Sequence, residues 1–366
     1  MRVSTRSTRA RHGIYSRLTP FLAPLLAIAL VGCSGGGSSG GASPAPASSP
    51  QPAGTATATD ASSAPATTTP VVGTVRLYST VQQPTVDAIT AALTEVHPGL
   101  TLETFRAPTG EVAARIAAEE REGLVRADVL WLTDPLSIEG YASRGLLREW
   151  VPDGAAALDP AFVAPSYWGT RVLNMVIVRG TDVDGGTGWK DLLDPALRDA
   201  VAVPDPAFAG SAFGALGYFA QDPAFGMDFY RSLRANGTVQ LQAPDEVTTA
   251  VAEGRFKAGI TLDFSARAAE AKGSPVELVW PEEGSIALFG PVAVVATTEN
   301  VEASEAFVEF LLSEAGQAAI GATGWEPVLP GVGGPEPGGE QLRPDWPAVF
   351  GRQQELLAEY ATIFGD

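Results

Sequence analysis

From residue 74 onward, apolar positions follow two alternating rhythms. Val75 to Thr80 (VRLYST) reads as a short strand, and the stretch after it, Pro84 to Val96, puts Val86, Ile89, Ala92, Leu93 and Val96 on one helical face. The rhythm repeats: Leu100 to Arg106 alternates as a strand, Thr109 to Gly123 is helical, and Ala127 to Leu132 (ADVLWL) is a third strand. A looser segment rich in Pro, Gly and aromatic residues runs from Trp150 to Gly169, and Arg171 to Val178 is strand-like again. Further strands are predicted at Val201 to Pro204, Val239 to Gln242, Ala258 to Phe264, Val276 to Trp280 and Ile286 to Thr297. Helices are predicted at Gly210 to Gln221, Ala224 to Ala235 and Asp245 to Glu253, and a single long one at Glu302 to Ala322. Strands alternating with helices predict βαβ crossovers and a mostly parallel sheet. The number of units exceeds one comfortable sheet and points to two α/β lobes joined by crossing segments. After a Gly/Pro-rich loop, Val349 to Phe364 is expected to be a helix packed on the first lobe.

The first 70 residues do not follow this rhythm. Residues 1 to 17 carry Arg2, Arg6, Arg9, Arg11 and Arg17 and no acid, and an apolar run follows from Leu18 to Val31. That run is shorter than the roughly 20 residues a membrane span needs, which makes residues 1–32 an export signal. From Ser34 to Pro70 the chain is almost entirely Gly, Ser, Ala, Pro and Thr. Such a composition buries too little apolar surface to offset its ordering entropy, so residues 33–70 read as a tether. Its expected mean span is about 30 to 35 Å.

Charge and scarce residue types narrow the chemistry. The chain has 24 Lys+Arg against 42 Asp+Glu, a formal charge of −18, and losing the five arginines of the signal leaves −23. Such a balance argues against a nucleic-acid partner, which needs a concentrated basic surface. With one cysteine, Cys33, the chain can form neither an internal disulfide nor a Cys-rich zinc site. Of its two histidines, His12 lies in the signal and His97 sits in a His-Pro-Gly turn, so a His-dependent hydrolase lacks its parts. A surface-tethered hydrolase built on carboxylates stays open at this point, although Glu119, Glu120 and Glu122 read most simply as a solvated helix face.

Several segments together carry a family resemblance. YST at Tyr78 to Thr80, ADVLWL with Thr133-Asp134, YASRGLL at Tyr141 to Leu147, GRFKAGITLDFS at Gly254 to Ser265 and AFVEFLLSEAGQ at Ala306 to Gln317 occur in this order. Over residues 74 to about 330 the chain resembles the extracellular solute-binding proteins of ABC importers, in the branch of ferric-ion, phosphonate, hexose-phosphate and thiamine binders. The Leu-Val-Gly-Cys sequence ending at Cys33 resembles a lipobox, which implies lipidation of Cys33 and anchoring to the outer face of a bacterial membrane. The resemblance implies a type II periplasmic-binding-protein fold: a first lobe over residues 71–170, a second over 171–264, and a return to the first over 265–366. It also implies a monomer that binds a small solute, delivers it to a membrane permease, and uses neither a catalytic group nor a cofactor.

Candidate site residues follow from strand ends. In open α/β sheets, ligands bind beyond the carboxyl ends of strands, where helix N-termini present free N–H groups. The residues at such places are Ser79, Thr80, Thr109, Thr133, Asp134, Gly210 and Ser211, whose hydroxyls and small side chains suit an anionic oxygen. Ordinary helix capping accounts for each one taken singly. By the resemblance, Asp263 contacts a hydroxyl or amine, or else caps the helix after it. Tyr167 and Trp168 stack on the solute or belong to the core, and Asn174 donates to it. Phe264-Ser265 stands where the ferric branch carries paired tyrosines, so the phenolates that hold Fe(III) are missing. The expected solute is a small organic anion or zwitterion, with ferric ion as the alternative.

Overall fold

The computed structural model describes residues 71–365, so the signal segment, Cys33 and the whole tether lie outside the described residues. In the first half, β1 (Gly73–Ser79), α1 (Gln83–Val96), β2 (Leu100–Arg106), α2 (Thr109–Arg121) and β3 (Val129–Trp131) alternate as the periodicity predicts, and α3 (Pro135–Ala142), which it did not mark, follows β3. β1 pairs in parallel with both β2 and β3. A 13-residue strand, β4 (Trp168–Gly180), then leads into the second half. That half contains β5 (Val201–Pro204), α4 (Gly210–Gln221), α5 (Gly226–Ala235), β6 (Val239–Leu241), α6 (Pro244–Ala252), β7 (Ala258–Leu262), α7 (Asp263–Ala271) and β8 (Val276–Val279). β9 (Ser285–Val294) returns the chain to β3. After it come α8 (Val301–Leu312), α9 (Glu314–Ala322), β10 (Glu326–Pro327), β11 (Gln341–Leu342), α10 (Trp346–Gly351) and α11 (Gln353–Phe364).

The strands form one hydrogen-bonded path, β2-β1-β3-β9-β4-β7-β5-β6, instead of two separate sheets. Pairing is parallel within each half, at β1–β2, β1–β3, β5–β6 and β5–β7. It is antiparallel where β4 pairs with β7, β8, β9 or β10 and where β9 pairs with β3, while the short β11 joins β9 in parallel. The mostly parallel expectation therefore fails at the crossing strands, which enter and leave the second half in opposite directions. β4 changes partners along its length. Its first part pairs with β9 on one edge and with β10 on the other, and its last part pairs with β8 and β7 on the same two edges. On the β10/β7 edge the switch leaves Leu173 and Asn174 between the two partners.

Three expectations need correction. Ser313, with an extended ψ of 162°, breaks the predicted Glu302–Ala322 helix and caps α9 by accepting the Gly316 N–H. α11 packs on α4 and α5 in the second half, with Tyr360 edge-on to Tyr230 and Glu359 accepting from Arg231, so it does not lie on the first half. α7 and β8 stay with β4 and α6, so the chain returns along β9 and not at residue 265. Between the halves, α10 places Phe350 beside Gly140 of α3 and Val349 against Gly217 of α4. Among the described residues, no helix is long and apolar enough to cross a membrane.

Candidate functional site

The register that sets Ser79 opposite Trp131 ends β1 and β3 side by side. Ser79 is fully buried; its hydroxyl donates to the Trp131 carbonyl at 2.9 Å and accepts from the Val81 N–H at 3.1 Å. One residue on, the Thr80 and Thr133 hydroxyls meet at 3.1 Å. Asp134 then caps α3, its carboxylate accepting the Ser137 N–H at 2.7 Å and the Ser137 hydroxyl at 2.9 Å. Only 1% exposed, Asp134 has its pKa raised by burial, against the opposing pull of the Ser137 bonds. From the second half, α4 approaches with no side-chain cap of its own and with Ser211 buried in its first turn. A Cβ at Gly210 would lie 2.8 Å from Asp134 Cβ and would collide with the carboxylate. The halves touch here because position 210 is glycine, and the carboxylate faces the positive end of a helix.

Next to this contact lies a charge that the sequence did not single out. Arg171 on β4 is 0% exposed and forms no ion pair among the described residues. Its Nη2 reaches the Leu132 carbonyl at 3.4 Å, at the end of β3 just before Thr133, and its Nη1 lies 3.5 Å from the Thr170 hydroxyl. Nε has no partner. The guanidinium lies between the rings of Trp131 and Trp325, 5.5 and 5.2 Å from their centroids, and over Gly290, where a Cβ would come within 2.7 Å of Cζ. Burial pulls its pKa down to about 9. Trp325 is held by Thr85, in the first turn of α1, which accepts the indole N–H at 3.1 Å. Phe264, at the start of α7 in the second half, stacks flat on Trp325 with centroids 4.1 Å apart. At the N-cap of α1, Gln82 has a buried Oε1 that finds no donor among the described residues.

A second polar group fills the switch point of β4. Asp263 accepts the Asn174 backbone N–H at 3.3 Å, the Asn174 side-chain amide at 3.4 Å and Arg267 at 2.5 Å. Arg267 also donates to the Gly324 carbonyl at 2.8 Å. Glu326 accepts from Asn174 at 2.8 Å and from Gln341 at 2.9 Å, and burial raises its pKa. The carboxylates here already have donors, whereas Arg171 lacks an acceptor that matches its charge.

The structure thus brings Ser79, Thr80, Thr133, Asp134, Gly210 and Ser211 to the meeting of the halves, and gathers Asn174 and Asp263 at the β4 switch. Thr109 opens α2, two residues past Ala107, whose N–H donates to the Ser79 carbonyl. Tyr167 donates to Glu139 at 2.7 Å and stacks on Phe289. Trp168 is turned into the core, edge-on to Trp150, and does not face the strand ends. Sequence reasoning missed Arg171, Gln82 and Trp325. The available signal for Arg171 was an arginine opening a strand otherwise apolar but for Asn174.

The sequence profile of the bacterial extracellular solute-binding proteins matches residues 75–326, and the chain belongs to that family. It is 29% identical over 155 residues to the spermidine/putrescine-binding periplasmic protein of Escherichia coli K12, covering 40% of this chain and 44% of that protein. The chain thus spans less than half the length of that curated relative. Among solved structures, the periplasmic binding protein AfuA of Actinobacillus pleuropneumoniae, determined with fructose-6-phosphate bound, superposes with a TM-score of 0.71 at 18% identity. That match covers 79% of this chain and 98% of AfuA. Iron-bound HitA of Pseudomonas aeruginosa gives a TM-score of 0.68 at 20% identity, over 79% and 99% of the two chains. These likenesses establish the two-lobed periplasmic-binding-protein fold.

Proposed function

We propose that this protein is the solute-binding component of an ABC importer: it captures a small organic anion or zwitterion between its halves and hands it to a membrane permease. The observation that carries the reading is the convergence of Thr80, Thr133, Asp134 and Ser211 from opposite halves on the crossing strands, where Asp134 meets Gly210. β4 and β9 are crossing strands that support this meeting, the chain passes between the halves again before α11, and bending at the β4 switch opens and closes it. Binding without turnover fits the chemistry present: the Ser79 hydroxyl is committed to the Trp131 carbonyl and has no base beside it, and Asp263 is paired with Arg267. Lipidation of Cys33 would hold the protein at the outer membrane face while the tether lets the folded part reach the permease.

The names of relatives point to solutes of opposite charge, so the solute class rests on this chain's own residues. A ferric cargo is disfavoured because Phe264 is packed flat on Trp325 where the resemblance would place a phenolate ligand. Thermal-shift screening of the purified chain against organic anions, zwitterions, amines and Fe(III) tests the reading. Stabilisation without consumption of the compound supports it; chemical turnover, or stabilisation by Fe(III) alone with charge-transfer absorbance, overturns it.

A further inference from the structure

Resting on the interlobe site just proposed, we infer that Arg171 is the anchor for the solute's anionic group, and that the solute presents that group to the guanidinium between Trp131 and Trp325. A fully buried arginine ordinarily has a carboxylate partner, because taking a charge out of water without a counter-charge is costly. Here the partners are two contacts of 3.4 and 3.5 Å to neutral oxygens and two aromatic faces, and Nε has none. The missing counter-charge is not available nearby: Asp263 is engaged by Arg267 and Asn174, and Glu326 by Asn174 and Gln341. Asp134 is turned toward Ser137 and the α4 N-terminus.

Arg171 touches the carbonyl of Leu132, the residue before Thr133, whose hydroxyl meets that of Thr80. A planar fork of donors is a bidentate receptor for a carboxylate, phosphate, phosphonate or sulfate oxygen pair. Gly290 leaves space for the guanidinium on the neighbouring strand, and the Phe264–Trp325 stack forms an apolar wall beside it for the organic part of the solute. The cation is therefore prepared in advance, at the expense of the empty protein's stability, for a charge that only the solute brings.

The test compares the wild-type chain with Arg171→Met and Arg171→Lys. The probes are inorganic sulfate, inorganic phosphate, fructose 6-phosphate, 2-aminoethylphosphonate and putrescine. Melting temperature is measured without a probe, and affinity by calorimetry. The expected result is that at least one anionic probe binds the wild type, that Arg171→Met loses at least 100-fold in affinity for it, and that Arg171→Lys loses about tenfold. The melting temperature of Arg171→Met without a probe stays level or rises, the opposite of what loss of a purely structural arginine gives. Should Arg171→Met not fold, Arg171→Lys decides, and unchanged anion affinity in it overturns the assignment. Putrescine binding equally to wild type and Arg171→Met overturns the anchor while leaving the solute-binding reading intact. Failure of every probe to bind the wild type overturns the anchor, and the Proposed function stands or falls separately on the broader thermal-shift screen.

Discussion

Asp134 and Gly210 lie in contact across the two halves, the carboxylate at the end of one loop filling the space that any side chain at the start of α4 would need. This pair joins the first half's strand-end hydroxyls to the second half's uncapped helix, and it makes closure sensitive to a single methyl group.

Gly210→Ala is expected to leave the melting temperature nearly unchanged, since alanine is the better helix former, but to hold the halves apart. An overpacked contact costs about 1–3 kcal/mol, which corresponds to a loss of roughly 5- to 150-fold in solute affinity. Calorimetry on the variant checks this; wild-type affinity would show that the Asp134–Gly210 contact takes no part in closure.

Asp134 sets a pH dependence of stability. Burial raises its folded pKa above the unfolded value, so its contribution is fully present below the unfolded pKa and is lost as pH rises through the folded one. Asp134→Asn keeps an acceptor for the Ser137 N–H and removes the buried charge. Chemical denaturation from pH 4 to 8 is expected to show the variant more stable than wild type at pH 7, with the difference shrinking toward pH 4. A variant less stable at pH 7 contradicts this.

The aromatic wall should separate into a structural member and a contact member. Trp325 is 0% exposed and bonded to Thr85, so Trp325→Ala is expected to cost about 3–5 kcal/mol in denaturant unfolding. Phe264 is half-buried and stacked on one side, so Phe264→Ala is expected to cost about 0.5–1.5 kcal/mol, the scale of an aromatic pair, and to weaken solute binding more than it weakens the fold. Equal losses in both variants would remove the distinction.

Cys33 is expected to carry the membrane anchor. Growth with a clickable fatty acid should label the wild-type chain and leave Cys33→Ser unlabelled and released from the membrane. Label that survives the substitution excludes lipidation at Cys33.

Much of this fold was legible because periodicity depends on neighbours in sequence. Apart from α3, the strands and longer helices from Val75 to Leu262 lie close to where the alternation of apolar positions put them, and the Ser/Thr/Gly residues at their ends follow from the geometry of α/β sheets. The misses have tertiary causes. Ser313 carried the local Ser-Glu-x-Gly signature of a helix start, overridden in the reading by the continuous apolar face around it. The seat of α11 depends on the aromatic cluster of Tyr230, Tyr360 and Phe364, which the sequence scatters over two distant segments. Arg171 was hidden because an unpaired charge is defined by what fails to come near it. The resemblance drew attention to Asp263, whose charge the fold satisfies internally through Arg267.

The two halves are expected to shut on a charged solute about β4 and β9. Spin labels at Glu103→Cys on β2 and Arg255→Cys before β7, in a Cys33→Ser background, report the separation of the halves by pulsed electron resonance. Saturating with the anionic compound that stabilises the protein is expected to narrow the distance distribution and move it to shorter values, and Gly210→Ala should resist the change. A distribution that is the same with and without bound solute would contradict the account.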